Sequence, residues 1–169
     1  MGRDKSRLPF RNGTLADSVA QAVAEATGTA ILVGGPAHAT WPTIPDLFPA
    51  EGPLGGILTA LRHTSAEWNL VAACDMPELT GDFLSELLAA AEAATADILL
   101  PVGPSGFPEP LCAVYRAAVR NTLASKFDSG VRKITAAFDN LHVVQLPVPG
   151  SRFLHNVNTP MDWAEYAAC

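Results

Sequence analysis

The sequence predicts an α/β domain with a mostly parallel sheet, on three observations. Short apolar runs recur at residues 30–33, 68–73, 98–102, 111–115 and 141–146. Segments with apolar residues at helical spacing separate most of them. The runs are largely continuous rather than alternating, as strands covered on both faces are.

Each element has a local cause. Thr14 suits an N-cap, and Asp17, three residues on, comes near the capping-box pattern. Leu15, Val19, Ala22, Val23 and Ala26 follow at helical spacing, and Gly28 ends the helix. A short strand at 30–33 stops at Gly34-Gly35-Pro36, and 37–51 reads as a loop. Pro53 sits in the first turn of a helix running to about His63. After the strand at 68–73, Thr80 or Gly81 opens a long helix through Phe83, Leu84, Leu87, Leu88 and Ala91. Beyond the strands at 98–102 and 111–115, residues 117–126 and 131–138 read as helical. The run at 141–146 is a strand, 153–157 is short and extended, and Pro160 starts a last helix.

Composition narrows the function. An apolar share of 49% against 17% charged argues for a packed core. No 18-residue apolar stretch predicts a membrane span, and the first residues lack the apolar core of a signal peptide. Three cysteines without framework or zinc spacing suit a reduced, cytoplasmic setting. A net charge of −6 disfavours nucleic acid. Arg3, Lys5, Arg7 and Arg11 nevertheless place four of the eleven basic side chains in the first eleven residues, a local charge suited to a small polyanion.

Chemistry concentrates at four places. In Val71-Ala72-Ala73-Cys74-Asp75-Met76-Pro77 an apolar run ends in one carboxylate before a proline turn. The crevice beyond the carboxyl ends of strands is where ligands bind in such sheets, and an aspartate there can hold a hard divalent cation. Gly52-Pro53-Leu54-Gly55-Gly56 opens a helix, whose uncapped N–H groups favour anions, while side-chain-free Gly55 and Gly56 permit close approach. A packed helix start explains the same glycines. Asp46, after Pro45, suits either a base or ribose contact or a turn. Asn156 and Asn158, two apart, share one side if extended and suit a heterocycle, or else cap the last helix. Cys74 and Cys112 read as core, and the four histidines lack metal spacing.

Taken in order, Met1 to Phe10, Asp46, Gly52 to Gly56, Asp75-Met76-Pro77, Pro110 to Tyr115 and Asn156 to Pro160 resemble the molybdenum cofactor guanylyltransferase family. The resemblance implies a Rossmann-like three-layer nucleotidyltransferase fold in one domain over 1–169. Residues 1–102 would form its nucleotide-binding half and 103–169 its acceptor side. It implies transfer of GMP from GTP to molybdopterin-bound molybdenum with release of pyrophosphate, and Mg2+ as cofactor. Lys5 and Asp75 would be catalytic. Lys5, Asp46, Gly52, Pro53, Leu54 and Asp75 would hold the nucleotide, Asp75 would hold the metal, and Asn156 and Asn158 would face the acceptor. A GTP-binding accessory protein and an apo-molybdoenzyme are implied partners. CTP or a sugar-phosphate acceptor is the nearest alternative chemistry, and a non-catalytic nucleotide- or cofactor-binding protein the alternative class. Family members place a strand and a Leu-Ala-Gly-Gly-x-Ser-x-Arg loop ahead of the Met-Gly-x-Asp-Lys piece. This sequence starts at that Met, so a sheet without its first strand is expected, in a short form that is weakly active or inactive. Truncation of a normal enzyme is expected over natural loss of catalysis.

Overall fold

The capping box forms as expected. The Thr14 hydroxyl accepts Asp17 N–H (3.2 Å) and Asp17 Oδ2 accepts Thr14 N–H (2.9 Å). In this computed structural model, which describes residues 8–11, 13–150 and 152–157, that box starts helix α1 (Leu15–Thr27). It follows a minimal hairpin of β1 (Pro9–Phe10) and β2 (Gly13–Thr14). Gly28, at φ +78°, ends α1 in a left-handed turn. Then come β3 (Leu32–Val33), β4 (Thr43–Ile44), α2 (Pro53–His63), β5 (Trp68–Ala72), α3 (Gly81–Ala93), β6 (Ile98–Val102), β7 (Cys112–Arg116), α4 (Arg120–Asp128) and β8 (Val143–Pro147).

The main sheet has the order β5-β7-β6-β8. β6 and β8 are parallel, whereas β7 is antiparallel to both β5 and β6, so the sheet is mixed. The reversal follows from connectivity: β6 reaches β7 through the loop 103–111 without a crossover helix. β3 and β4 form a separate parallel pair, so the segment 37–51 is not loop throughout. Among the described residues no backbone pairing joins these two pieces. Glu67 C=O and Ala73 N–H bond towards β7, so by alternation the N–H and C=O groups of Trp68, Leu70 and Ala72 point away from it, to a side that no described strand pairs. Leu32 and Gly34 N–H bond towards β4, which leaves Val33 aimed away from it, and neighbouring Ile31 is 41% exposed. Every residue of β5 is half-buried, although β6 and β7 are nearly all buried.

Helices cover both faces. Ile98, Leu100, Ala113 and Tyr115 pack on α2 and α4. Leu99, Cys112 and Val114 pack on α1 and α3. This period-two partition is what makes the strands read as continuous apolar runs. Two local expectations are corrected. Of 131–138, only Ile134–Ala137 is helical, as a 3-10 turn, and Gly130 (φ +95°) breaks continuity with α4. The segment 153–157 is not a strand: Arg152–Leu154 forms a 3-10 turn, held by stacking of Phe153 on Phe83 (4.6 Å). The expected last helix lies outside the described residues.

Candidate active site

Asp75 leaves β5 two residues beyond Ala73, whose N–H donates to Leu111 C=O (2.7 Å). That bond fixes the turn against the start of β7. Among the described residues the half-buried Asp75 carboxylate takes part in no hydrogen bond or ion pair, so it is not a cap on the Met76-Pro77 turn. Its main-chain carbonyl accepts Val157 N–H (2.8 Å). This bond brings Asn156 beside Asp75 across 81 residues of sequence.

Asn156 makes the next link. Its Nδ2 donates to Glu109 Oε2 over a long 3.5 Å, and its Oδ1 is buried without a partner. Glu109 Oε1 accepts Leu111 N–H (3.0 Å). Glu109 N–H donates to Pro101 C=O (3.0 Å), and its own C=O accepts Cys112 N–H (3.2 Å). The loop is stiffened further by the Tyr115 hydroxyl, which donates to Pro110 C=O (2.7 Å). Burial, and then the nearby Glu109 charge, push the Tyr115 hydroxyl and the Cys112 thiol far up. Both stay protonated, so Cys112 is core and not a nucleophile.

The α2 start approaches from the other side, where Pro53 and Pro110 line one groove. Gly52 holds φ +87°, a conformation that favours glycine, and no side chain caps the helix. Pro53 and Gly52 are exposed. The Leu54 side chain is fully buried, so what it can offer a ligand is its backbone. Gly55 is explained by packing, since a Cβ there would lie 2.8 Å from Phe48 Cβ. A Cβ on Gly56 would meet nothing within 4 Å. Asp46 Oδ1 accepts Phe48 N–H (2.9 Å) and the Thr59 hydroxyl (3.1 Å), so Asp46 anchors the loop to α2. Its Oδ2 has no partner among the described residues.

The structure thus joins Pro53, Asp75 and Asn156 through Pro110 and Leu111, and sets Asp46 further along α2. Lys5 and Asn158 lie outside the described residues. Glu109 was not singled out from sequence. Its signal was a lone carboxylate between two prolines at the entry to a strand. Among the described residues no three His, Cys, Asp or Glu side chains converge as a metal cage. Magnesium does not need one, because it takes one or two carboxylates together with substrate phosphates and water. The unpartnered Asp75 carboxylate fits that pattern. No helix among the described residues is long and apolar enough to cross a membrane.

Comparison with known proteins gives the family and the fold. The MobA-like NTP transferase domain family matches residues 1–143. A probable molybdenum cofactor guanylyltransferase of Deinococcus radiodurans is 32% identical over 167 residues, covering 97% of this chain and 86% of that protein. The crystal structure of molybdopterin-guanine dinucleotide biosynthesis protein A from Archaeoglobus fulgidus superposes with a TM-score of 0.82 at 27% identity, over 99% of this chain and 91% of that one. A 2-C-methyl-D-erythritol 4-phosphate cytidylyltransferase from Thermus thermophilus shares the fold alone (TM-score 0.78, 15% identity, 97% and 92% covered). With its mixed sheet between two helical layers and its strand-end carboxylate, the chain belongs to the MobA-like NTP transferase domain family and has the Rossmann-like nucleotidyltransferase fold.

Proposed function

We propose that the chain transfers GMP from GTP to the terminal phosphate of molybdopterin-bound molybdenum cofactor and releases pyrophosphate. The carrying observation is the Asp75 carboxylate, which has no partner among the described residues at a strand end and is tied by main chain to the Asn156 segment. The names of the relatives support the choice of base and acceptor. Asp75 would hold magnesium, which when bound neutralises charge on the triphosphate. The uncapped start of α2 offers N–H groups to the nucleotide, with Gly56 as the point of closest approach. Lys5, by resemblance, meets the triphosphate, and Asp46 keeps Oδ2 for the nucleoside. Asn156 and Asn158 face the acceptor. The attacking phosphate is already ionised at neutral pH, its second pKa being about 6, so no side-chain base is required. The residues supply position and charge complementarity. Cytoplasmic location, a GTP-binding accessory protein and an apo-molybdoenzyme recipient belong to the same proposal.

The test is magnesium-dependent pyrophosphate release with GTP and the pterin cofactor. Asp75→Ala is expected to abolish it with little loss of thermal stability, because the removed carboxylate bonds to none of the described residues. Undiminished release by that variant would remove the metal assignment. Faster release with CTP would reject the guanylyl assignment.

A further inference from the structure

The loop between β6 and β7 is closed rather than loose. Gly106 N–H donates to Gly103 C=O (2.9 Å), and Val102 and Pro108 form an antiparallel bridge. This turn holds Phe107 outward at 77% exposure, the highest among the large apolar side chains exposed in the described residues. A cleft of about 160 Å³ lies beside it, lined by Gly103, Ser105, Phe107, Glu109, Leu154 and His155. An exposed aromatic face next to a half-buried carboxylate has no packing explanation. Phe107 stabilises no core, and Glu109 has acceptor capacity left over. A carboxylate has about four lone-pair sites. Only Leu111 N–H and the distant Asn156 amide use them among the described side-chain contacts.

We infer that Phe107 and Glu109 form a binding site for the flat heterocycle of the acceptor, a 2-amino-4-oxopyrimidine-fused ring of the pterin class. The ring stacks on Phe107. Its adjacent ring N–H and amino group, both donors, face the Glu109 carboxylate. This rests on the proposed function and adds the residues that choose the acceptor. Guanine has the same donor edge, but the cleft belongs to the loop 103–109 and the 154–155 segment. The α2 start and Gly56 lie across Pro110, with the separate groove shared by Pro53. Nucleoside and acceptor therefore have different seats, with Asp75 between them through its bond to Val157.

The experiment titrates the whole chain with a free pterin, followed by pterin fluorescence, and separately with GTP and magnesium by calorimetry. Phe107→Ala removes no core contact and is expected to weaken pterin binding about tenfold, as loss of one stacking platform does, with GTP affinity unchanged. Phe107→Trp is expected to retain it. Glu109→Gln, nearly isosteric, is expected to weaken pterin binding by a similar factor, because its amide nitrogen presents hydrogens to a donor edge. Unchanged pterin affinity in Phe107→Ala, or no pterin binding by the unsubstituted chain, overturns the inference. A loss confined to GTP overturns it as well and assigns the cleft to guanine. These readouts do not depend on turnover. Absence of pyrophosphate release with normal pterin binding would therefore sink the proposed reaction and leave the cleft standing.

Discussion

Fusing an extended apolar strand ahead of Met1 tests whether the side of β5 that no described strand pairs is an energetic defect. On β5, Trp68, Leu70 and Ala72 each aim one N–H and one C=O away from β7, at the side no described strand pairs. Bonds to those six groups contribute about 0.5–1.5 kcal/mol each, or about 3–9 kcal/mol together. Ordering a five-residue strand costs about 5–10 kcal/mol of backbone entropy. These two effects nearly cancel, so hydrogen bonding alone does not decide the outcome. Burial does, because the added strand would enter between the α1/α3 layer and the α2/α4 layer. Three buried Val, Leu or Ile side chains contribute about 1.5–3 kcal/mol each, less the roughly 10–40% already buried in a compact denatured chain. A net gain of about 3–5 kcal/mol corresponds to roughly 10 °C in Tm for a domain of this size. Thermal melting followed by circular dichroism measures it, with a Gly/Ser extension of equal length as control. The control makes the same backbone bonds without the burial and is expected to leave Tm unchanged. Equal shifts for both extensions, or none for the apolar one, would refute the reasoning.

Two other substitutions separate stability from function. Gly56→Ala fills open space on a helix and is expected to stabilise the fold by about 0.5–1 kcal/mol in chemical denaturation. The same change is expected to weaken GTP binding in calorimetry, and unchanged affinity would remove Gly56 from the nucleotide seat. Asp17→Asn disturbs the bonds from the Thr14 N–H and hydroxyl to Oδ2 and from Trp41 Nε1 to Oδ1, at a cost of about 1 kcal/mol. Bonding to the Thr14 hydroxyl, against an opposing effect of burial, holds the Asp17 carboxyl below its ordinary value; the Thr14 N–H, His38 and Trp41 lower it further. A depressed folded-state pKa gives stability that is complete above the unfolded value of about 3.9 and is lost as pH falls through the lower folded value. The gap between Asp17 and its Asn variant is therefore expected to be constant from pH 5 to 7 and to close in more acid solution. A gap that does not shrink as the pH falls below the unfolded value of about 3.9 would contradict this.

Sequence alone determined what is closed within a few residues. The Thr14–Asp17 box, the Gly28 stop, Pro53 in a first turn and Thr80 before α3 all depend on partners three or four positions away, so the residue types announce them. The carboxylate at the end of β5 was legible for the same reason, whereas the period-two split of β6 and β7 between the two helical layers was not, because their runs read as continuous. Only tertiary structure decided that β7 enters reversed between β5 and β6, because strand order depends on distant packing and not on local pattern. It also decided which glycine serves the fold: Gly55 meets Phe48, whereas Gly56 meets nothing, although both read alike in the sequence. The meeting of Asp75, Glu109 and Asn156 was likewise beyond local reading. The contacts that join their segments, Asn156 to Glu109 and Val157 to Asp75, cross 47 and 82 residues of chain, and they form because a packed sheet brings loop ends together after the entropy of closing those long segments has been overcome.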